Sequence, residues 1–369
     1  MKINQIKLKN YRNYETCIVD FSNHLNLLIG DNGQGKTNLL ESIYVCGFGK
    51  SFRTSKDIEW MKMGSEATTI RIEYEKNGHI GTIEIKQLNN RKKEIKVNGV
   101  PLLKMSELIG HLNLVLFSPE DLKLVKDSPA ERRRFIDREL SHISPAYCHL
   151  LMNYHRILDQ RNSALKQMQF RRKIDEAMLE IWDEKLAEIG TKIVMKRSEF
   201  ITKLADMSER IHGQITNGSE KLAVKYISAL TSKNLLDYDI IYKEFLTTLT
   251  KNHEKDVEKG YTTFGPHRDD LGLSINENDI RSYGSQGQQR TAALSLKLSE
   301  IEIIYNELGE YPILLLDDVM SELDSSRQNF LIKTFEKVQT IVTTTEVGQL
   351  YQDHLKNGKL FRISSGNIL

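Results

Sequence analysis

The residues best suited to chemistry lie together at Gly30-Asp31-Asn32-Gly33-Gln34-Gly35-Lys36-Thr37. Glycines spaced this way let a backbone wrap an anion without Cβ clashes, so that several N–H groups point inward. Lys36 is then expected to neutralise the β- and γ-phosphates of a nucleotide, and the Thr37 hydroxyl to ligate Mg²⁺. The apolar stretch His24–Ile29 before the loop reads as a buried strand, and Lys36–Cys46 after it as a helix whose positive end faces the phosphates. ATP and Mg²⁺ are therefore the expected cofactors, with all eight loop residues binding nucleotide.

Two further stretches belong to the same chemistry. Ile313-Leu-Leu-Leu-Asp317-Asp318 reads as a buried strand carrying carboxylates at its C-terminal end, where open α/β sheets place ligands. Asp317 is expected to hold Mg²⁺, directly or through water, and Asp318 to polarise the attacking water. Lys36 and Asp318 are thus the candidate catalytic residues, and an aspartate in a role that usually falls to the longer glutamate suits slow turnover. Ser285-Gln286-Gly287-Gln288 precedes a helix expected over Gln288–Leu308. A serine hydroxyl, a glycine and a helix N-terminus form a second phosphate-binding device. One γ-phosphate does not need two such devices in one chain, so the loop is expected to close over the ATP of a second subunit. An ordinary N-cap and turn is the plainer alternative.

The elements that must position these groups alternate in kind. Ile3–Leu8 and Leu112–Phe117 read as strands, residues 68–100 as antiparallel strands with a turn at Asn98–Gly99, and Ser128-Pro-Ala-Glu131 as a capping box opening a helix to about Leu140. Residues 145–250 change character. Tyr147, Leu150, Tyr154, Ile157, Leu158, Leu165 and Met168, then Leu186, Ile189, Ile193, Phe200, Leu204, Met207 and Ile211, recur at helical spacing. Two long helices in an antiparallel hairpin are expected, with Arg171-Arg172-Lys173 near the tip, followed by a strand (Ala223–Ile227) and a helix (Leu235–Leu249). Strands at Leu271–Ile275 and Thr340–Thr343 return the chain to α/β character. The expected organisation is an ATPase domain over 1–142 and 256–369, split by a helical arm over 143–255.

The 369 residues carry a net charge of only +2 with 28% charged residues, so any nucleic-acid surface must be local. Cys17, Cys46 and Cys148 are far apart and without ligand spacing, which suits reduced thiols in a cytoplasmic protein. No stretch resembles a secretion signal or a membrane span.

Asn32, the Ser285 loop, the Asp317-Asp318 strand end and Ser321-Glu-Leu-Asp324 form a set in fixed order that resembles the ABC-type ATPases of the SMC/Rad50-like group. Within that group the chain resembles the RecF family through Asn10-Tyr-Arg-Asn-Tyr14, Gly47-Phe-Gly-Lys-Ser-Phe-Arg53, Phe117-Ser-Pro-Glu-Asp121, Glu131-Arg-Arg-Arg-Phe-Ile-Asp137 and Thr263-Phe-Gly-Pro-His-Arg-Asp269. The resemblance implies an ATPase head with an antiparallel β subdomain and an inserted helical arm. It implies ATP-driven head-to-tail dimerisation on gapped DNA, work with RecR and RecO in loading the RecA recombinase, support of the SOS response, and hydrolysis that resets the clamp. It places Ser285, Gln286 and Gly287 in trans, Asp324 at the dimer interface and Arg12 near the nucleotide. Thr343-Thr-Thr345 departs from the pattern, standing where such ATPases usually carry a histidine.

DNA contacts are expected from Arg132, Arg133 and Arg134 or from Arg171, Arg172 and Lys173, through the backbone rather than the bases. Lys50, Arg53 and Lys56 are further candidates. His267 and Arg268 are open between a structural role and one facing nucleotide or DNA. Two other function classes compete: a membrane-transporter ATPase, which would lack the arm, and a DNA-cutting enzyme, for which Asp269–Asp270 is the nearest acidic pair.

Overall fold

The computed structural model describes residues 1–369 apart from 90, 91, 233, 349, 350 and 353. The chain divides into two compact units, one formed by Met1–Asp121 with Glu300–Leu369 and the other by Leu122–Ser299.

The first unit holds two six-stranded sheets. One runs Asn367–Ile368, Lys359–Ser364, Leu25–Ile29, Thr340–Thr344, Ile313–Asp317, Leu114–Phe117 in spatial order. Its central pairings are parallel, and only the last hairpin is antiparallel. Strands buried on both faces must be apolar throughout, which is why Ile313–Leu316 and Leu114–Phe117 carry no alternation. The register sets Asp317 beside Thr343, and Ile29 beside both Thr344 and Arg362. The phosphate loop and the Asp317 carboxylate therefore emerge at the same edge.

The other sheet is antiparallel, in the order Tyr14–Asp20, Lys2–Tyr11, Ala67–Lys76, His79–Leu88, Glu94–Val97, Val100–Pro101. The expected turn forms with Asn98 at φ 51° and Gly99 at φ 79°, the left-handed pair a two-residue hairpin needs. Residues of both sheets and of the helix Lys36–Phe48 share one core, among them Ile6, Ile72, Leu39, Ile43, Leu315 and Ile341. The strand Lys359–Ser364 and its hairpin had no counterpart in the sequence reading.

The second unit contains the expected helical hairpin, Pro145–Arg171 (27 residues) and Glu176–Ile215 (40 residues). Arg172 ends the first helix in the left-handed region at φ 52°, and the Asp175 carboxylate starts the second by accepting from the Met178 amide. A three-stranded antiparallel sheet, Asn278–Asp279, Asp270–Ile275 and Leu222–Ile227, and the helix Tyr238–Lys251 pack with it. This unit is wider than the arm expected over 143–255. The helix Pro129–Ile143 packs on Pro145–Arg171 and on Asp270–Ile275, so it belongs with the arm. That helix has proline in its first turn, but the capping box does not form: the Glu131 amide donates to the Ser128 carbonyl rather than to its hydroxyl, and the Glu131 carboxylate accepts from Arg134.

Candidate nucleotide site

The phosphate loop follows the strand Leu25–Ile29 and runs into the helix Lys36–Phe48. Gly30, Gly33 and Gly35 have φ of 155°, 80° and 122°. A Cβ at Gly35 would stand 2.7 Å from the Asn13 amide, and one at Gly30 2.3 Å from the Ile363 carbonyl oxygen. The loop is thus gripped from two sides. Asn13 Nδ2 donates to the Gln34 carbonyl at 2.9 Å and the Tyr14 hydroxyl donates to the Gly35 carbonyl at 3.0 Å. From the other side the amides of Ser365 and Gly366 donate to Gln34 Oε1 and to the Gln34 carbonyl, at 2.6 and 3.0 Å.

Lys36 Nζ lies inside the loop, donating to the carbonyls of Gly30 and Asp31 at 2.6 and 2.9 Å. Burial lowers its pKa, while Asp318, Asp31 and Asp317 act against that shift. Thr37 Oγ1 donates to Asp317 Oδ1 at 2.8 Å, which joins the two halves of the motif into one cluster. Thr343 Oγ1 donates to the same oxygen at 2.9 Å and accepts from the Asp318 amide at 3.0 Å. Thr343 therefore anchors both aspartates, one by its carboxylate and the other by its backbone amide. Burial raises the Asp317 carboxyl above the usual aspartate range, partly countered by the Thr37 and Thr343 hydroxyls. A desolvated carboxylate held by hydroxyls rather than a cation, beside a threonine oxygen, fits a hard divalent ion that takes its other ligands from phosphate and water. Asp318 is exposed, and at φ 54° its backbone leaves the strand conformation for the left-handed region.

Arg12, at φ 51°, chelates Glu41 through Nε and Nη2 at 2.9 and 2.7 Å. Glu41 is fully buried and also accepts from the Tyr11 and Ser51 hydroxyls. This hub locks the Asn10–Tyr14 turn to the helix that follows the phosphate loop. Sequence reasoning missed it, although burial on all sides of an apolar helix was a signal that Glu41 needs partners.

The family described as RecF/RecN/SMC N terminal domain matches residues 2–365. The chain is 48% identical over its whole length to the DNA replication and repair protein RecF of Alkaliphilus oremlandii, and 48% identical to that of Staphylococcus carnosus, in each case covering 100% of both chains. It belongs to the RecF family. A solved structure of the recombination mediator protein RecF with ATP superposes with a TM-score of 0.92 at 38% identity, covering 100% of this chain and 96% of that one. The Smc head domain of Pyrococcus furiosus shares the fold, with a TM-score of 0.56 at 17% identity over 98% of this chain and 93% of that one. The ABC-type ATPase architecture expected from the sequence is thereby established.

In this RecF-family chain the Ser285–Gln288 loop is a true helix cap. The helix is Gln286–Leu308, starting earlier than Gln288. Ser285 Oγ accepts from the Gln288 amide at 3.2 Å, and Gln288 Oε1 accepts from the Ser285 amide at 2.9 Å. The cap uses an acceptor lone pair of the serine and leaves its hydroxyl proton free to donate; Ser285 and Gln286 are exposed. Asp324 likewise caps its helix, accepting from the Arg327 amide at 3.0 Å, and pairs with the Arg327 side chain.

The basic clusters divide. Arg132 is 5% exposed and chelates Asp270 at 2.7 and 2.9 Å, so it is a structural residue and not a DNA contact. Arg133 is half-buried and donates to the Asp269 carbonyl at 2.7 Å; Arg134 is exposed beside Glu131. Arg171, Arg172 and Lys173 are exposed at the hairpin tip, with the Phe170 ring 90% exposed next to them. The acidic pair of the nuclease reading is engaged elsewhere: Asp270 by Arg132, and Asp269 by the Tyr226 hydroxyl. His267 is structural. Nε2 donates to the Thr262 carbonyl at 3.1 Å, leaving Nδ1 to accept from the Tyr154 hydroxyl at 2.7 Å, and burial lowers its pKa to about 4. No helix among the described residues is long and apolar enough to cross a membrane.

Proposed function

We propose that the chain is an ATP-switched DNA-binding protein of recombinational repair, in which ATP joins two copies and slow hydrolysis releases them. The observation that carries this reading is the Thr37–Asp317 bond, which unites a complete phosphate loop with the carboxylate of a strand two places away in the same sheet. In the working site the amides of Gly30–Thr37 cradle the phosphates and Lys36 moves from the loop carbonyls to the β- and γ-oxygens. Thr37 and Asp317 hold Mg²⁺, which when bound neutralises phosphate charge. Asp318 orients the water, and Arg12 lies near the nucleotide. Ser285, Gln286, Gly287 and Gln288 complete the site from the partner, with Asp324 at the interface.

The outcome is binding to gapped DNA at single-strand/double-strand junctions. There the pair works with RecR and RecO to load RecA, which supports the SOS response. The ATP-bound structure of a relative described as a recombination mediator in the RecFOR pathway supports this assignment. Absolute molecular mass measured in solution, with and without ATP and gapped DNA, tests it. Wild type is expected to double in mass with ATP, and Lys36→Met and Ser285→Arg to remain single. A monomer at every ATP concentration would sink the shared site.

A further inference from the structure

Two sequence motifs have no part in the nucleotide chemistry, Glu131–Asp137 and Thr263–Asp269. In the second unit they meet at one cleft of about 320 Å³. Arg133, Arg134, His155, Arg197 and His267 line it, and Ala130 brings the first turn of the helix Pro129–Ile143 to its wall.

The charges around this cleft do not balance. Arg197 is 2% exposed and fully engaged, by both Asp137 oxygens at 2.8 and 3.0 Å and by the Pro266 carbonyl at 2.6 Å. Asp270 belongs to Arg132, and Asp269 to Tyr226. Arg133 and Arg268 are left to backbone carbonyls, those of Asp269 and Thr262, and Arg268 stacks over the Tyr261 ring. Neither is paired with a carboxylate among the described residues. Burial lowers the Arg133 pKa and the Arg197 charge adds to that, with Arg268 a smaller contribution, while Asp270 and Asp137 act against the shift. Like charges in a half-buried cleft repel, and an anion placed there removes the repulsion. His267 is closed to ligands by its two hydrogen bonds, so it shapes the wall without binding.

We infer that this cleft receives a phosphate group, contacted by Arg133 with Arg134 and His155 at the mouth, and that a DNA strand supplies it. The choice of DNA rests on the function proposed above, whereas the phosphate chemistry stands without it. The cleft is too small for a duplex and takes a single backbone or terminal phosphate.

Two arms test this with the full chain, its nucleotide loop filled with ADP and Mg²⁺ in the first. Inorganic pyrophosphate is expected to raise the melting temperature of wild type, and Arg133→Gln to abolish that response. His155→Glu puts a negative charge at the exposed mouth, where the native ring meets the edge of the adjacent, separately hydrogen-bonded Tyr154, and is expected to do the same. In the second arm ATP is present and a fluorescein-labelled gapped duplex is titrated at several salt concentrations. Arg133→Gln is expected to weaken binding by about tenfold and to reduce the salt slope by about one, as loss of one charged phosphate contact does. An Arg133-dependent pyrophosphate response with unchanged DNA affinity keeps the phosphate site and assigns it to a free phosphate compound. No DNA binding by wild type, with the pyrophosphate response intact, fails the proposed function and not the cleft. If neither variant alters either response, the inference is wrong.

Discussion

Asp317 and Asp183 are both buried aspartates, yet they are held in opposite ways. Asp183, in the second unit, accepts from Arg161 Nε at 2.8 Å and faces His253 Nε2 at 2.7 Å. The other ring nitrogen of His253 faces Glu176. Arg161 is itself fully buried and also binds Asp256 at 2.7 Å. Among the described residues, Asp317, in the first unit, is hydrogen-bonded by the hydroxyls of Thr37 and Thr343, with the charge of Arg53 a weaker influence. A carboxylate already neutralised by protein cations holds helices together. One solvated by hydroxyls keeps its charge available for an ion that arrives later. Glu41 stands with the first kind although it lies beside the site, because Arg12 chelates it.

Breaking the arm network is the largest perturbation available. Arg161→Ala would leave Asp256 and Asp183 buried with their main cation gone, and is expected to cost about 3–5 kcal/mol in denaturant unfolding. Asp317→Asn should behave in the opposite way. It is expected to leave stability unchanged or slightly raised while lowering Mg²⁺-dependent ATP turnover on the order of a hundredfold. The pH dependence follows from its raised pKa. The ionised carboxylate weakens the fold, an effect absent below the ordinary aspartate range that grows as pH rises through the raised value. Mg²⁺ binding has the reverse dependence, failing as pH falls through that same value, and isothermal titration of Mg²⁺–ATP across the acid range checks it. Thr343→Val sharpens the comparison with the smallest effect. Removing a hydroxyl that orients the metal carboxylate is expected to weaken apparent Mg²⁺ affinity by about tenfold, with unfolding little changed. A Thr343→Val chain that unfolded as readily as Arg161→Ala would erase the distinction.

The same physics decided what the sequence could disclose. The phosphate loop was legible because glycines, lysine and threonine at those spacings have one economical use, and the strand Thr340–Thr344, paired with both apolar strands, sets Asp317 within reach of Thr37. The helical hairpin was legible because its apolar positions recur over many turns. Arg132 was misjudged as a surface cation, yet it lies in step with Phe135, Ile136 and Leu140 on the buried face of its helix, and Asp270 waits opposite. Periodicity carried that signal and the charge hid it. Ser128 and Glu131 matched a capping pattern, but Arg134 one turn on competed for the glutamate. The strand Lys359–Ser364 escaped because it sits toward the sheet edge with only Ile363 buried, so it lacks the apolar run of its neighbours.

That late strand has a consequence for how the protein comes into being. Gln34 in the phosphate loop is held by Ser365, 331 residues further along the chain, and Leu25–Ile29 is flanked on both sides by strands from the far half of the sequence. A nascent chain that has emerged as far as the phosphate loop, or even through the arm, still lacks both flanking strands. The frame of the nucleotide site is therefore assembled only once Thr340–Thr344 and Lys359–Ser365 have been made, and a shorter fragment carries the motif without the strands that flank it.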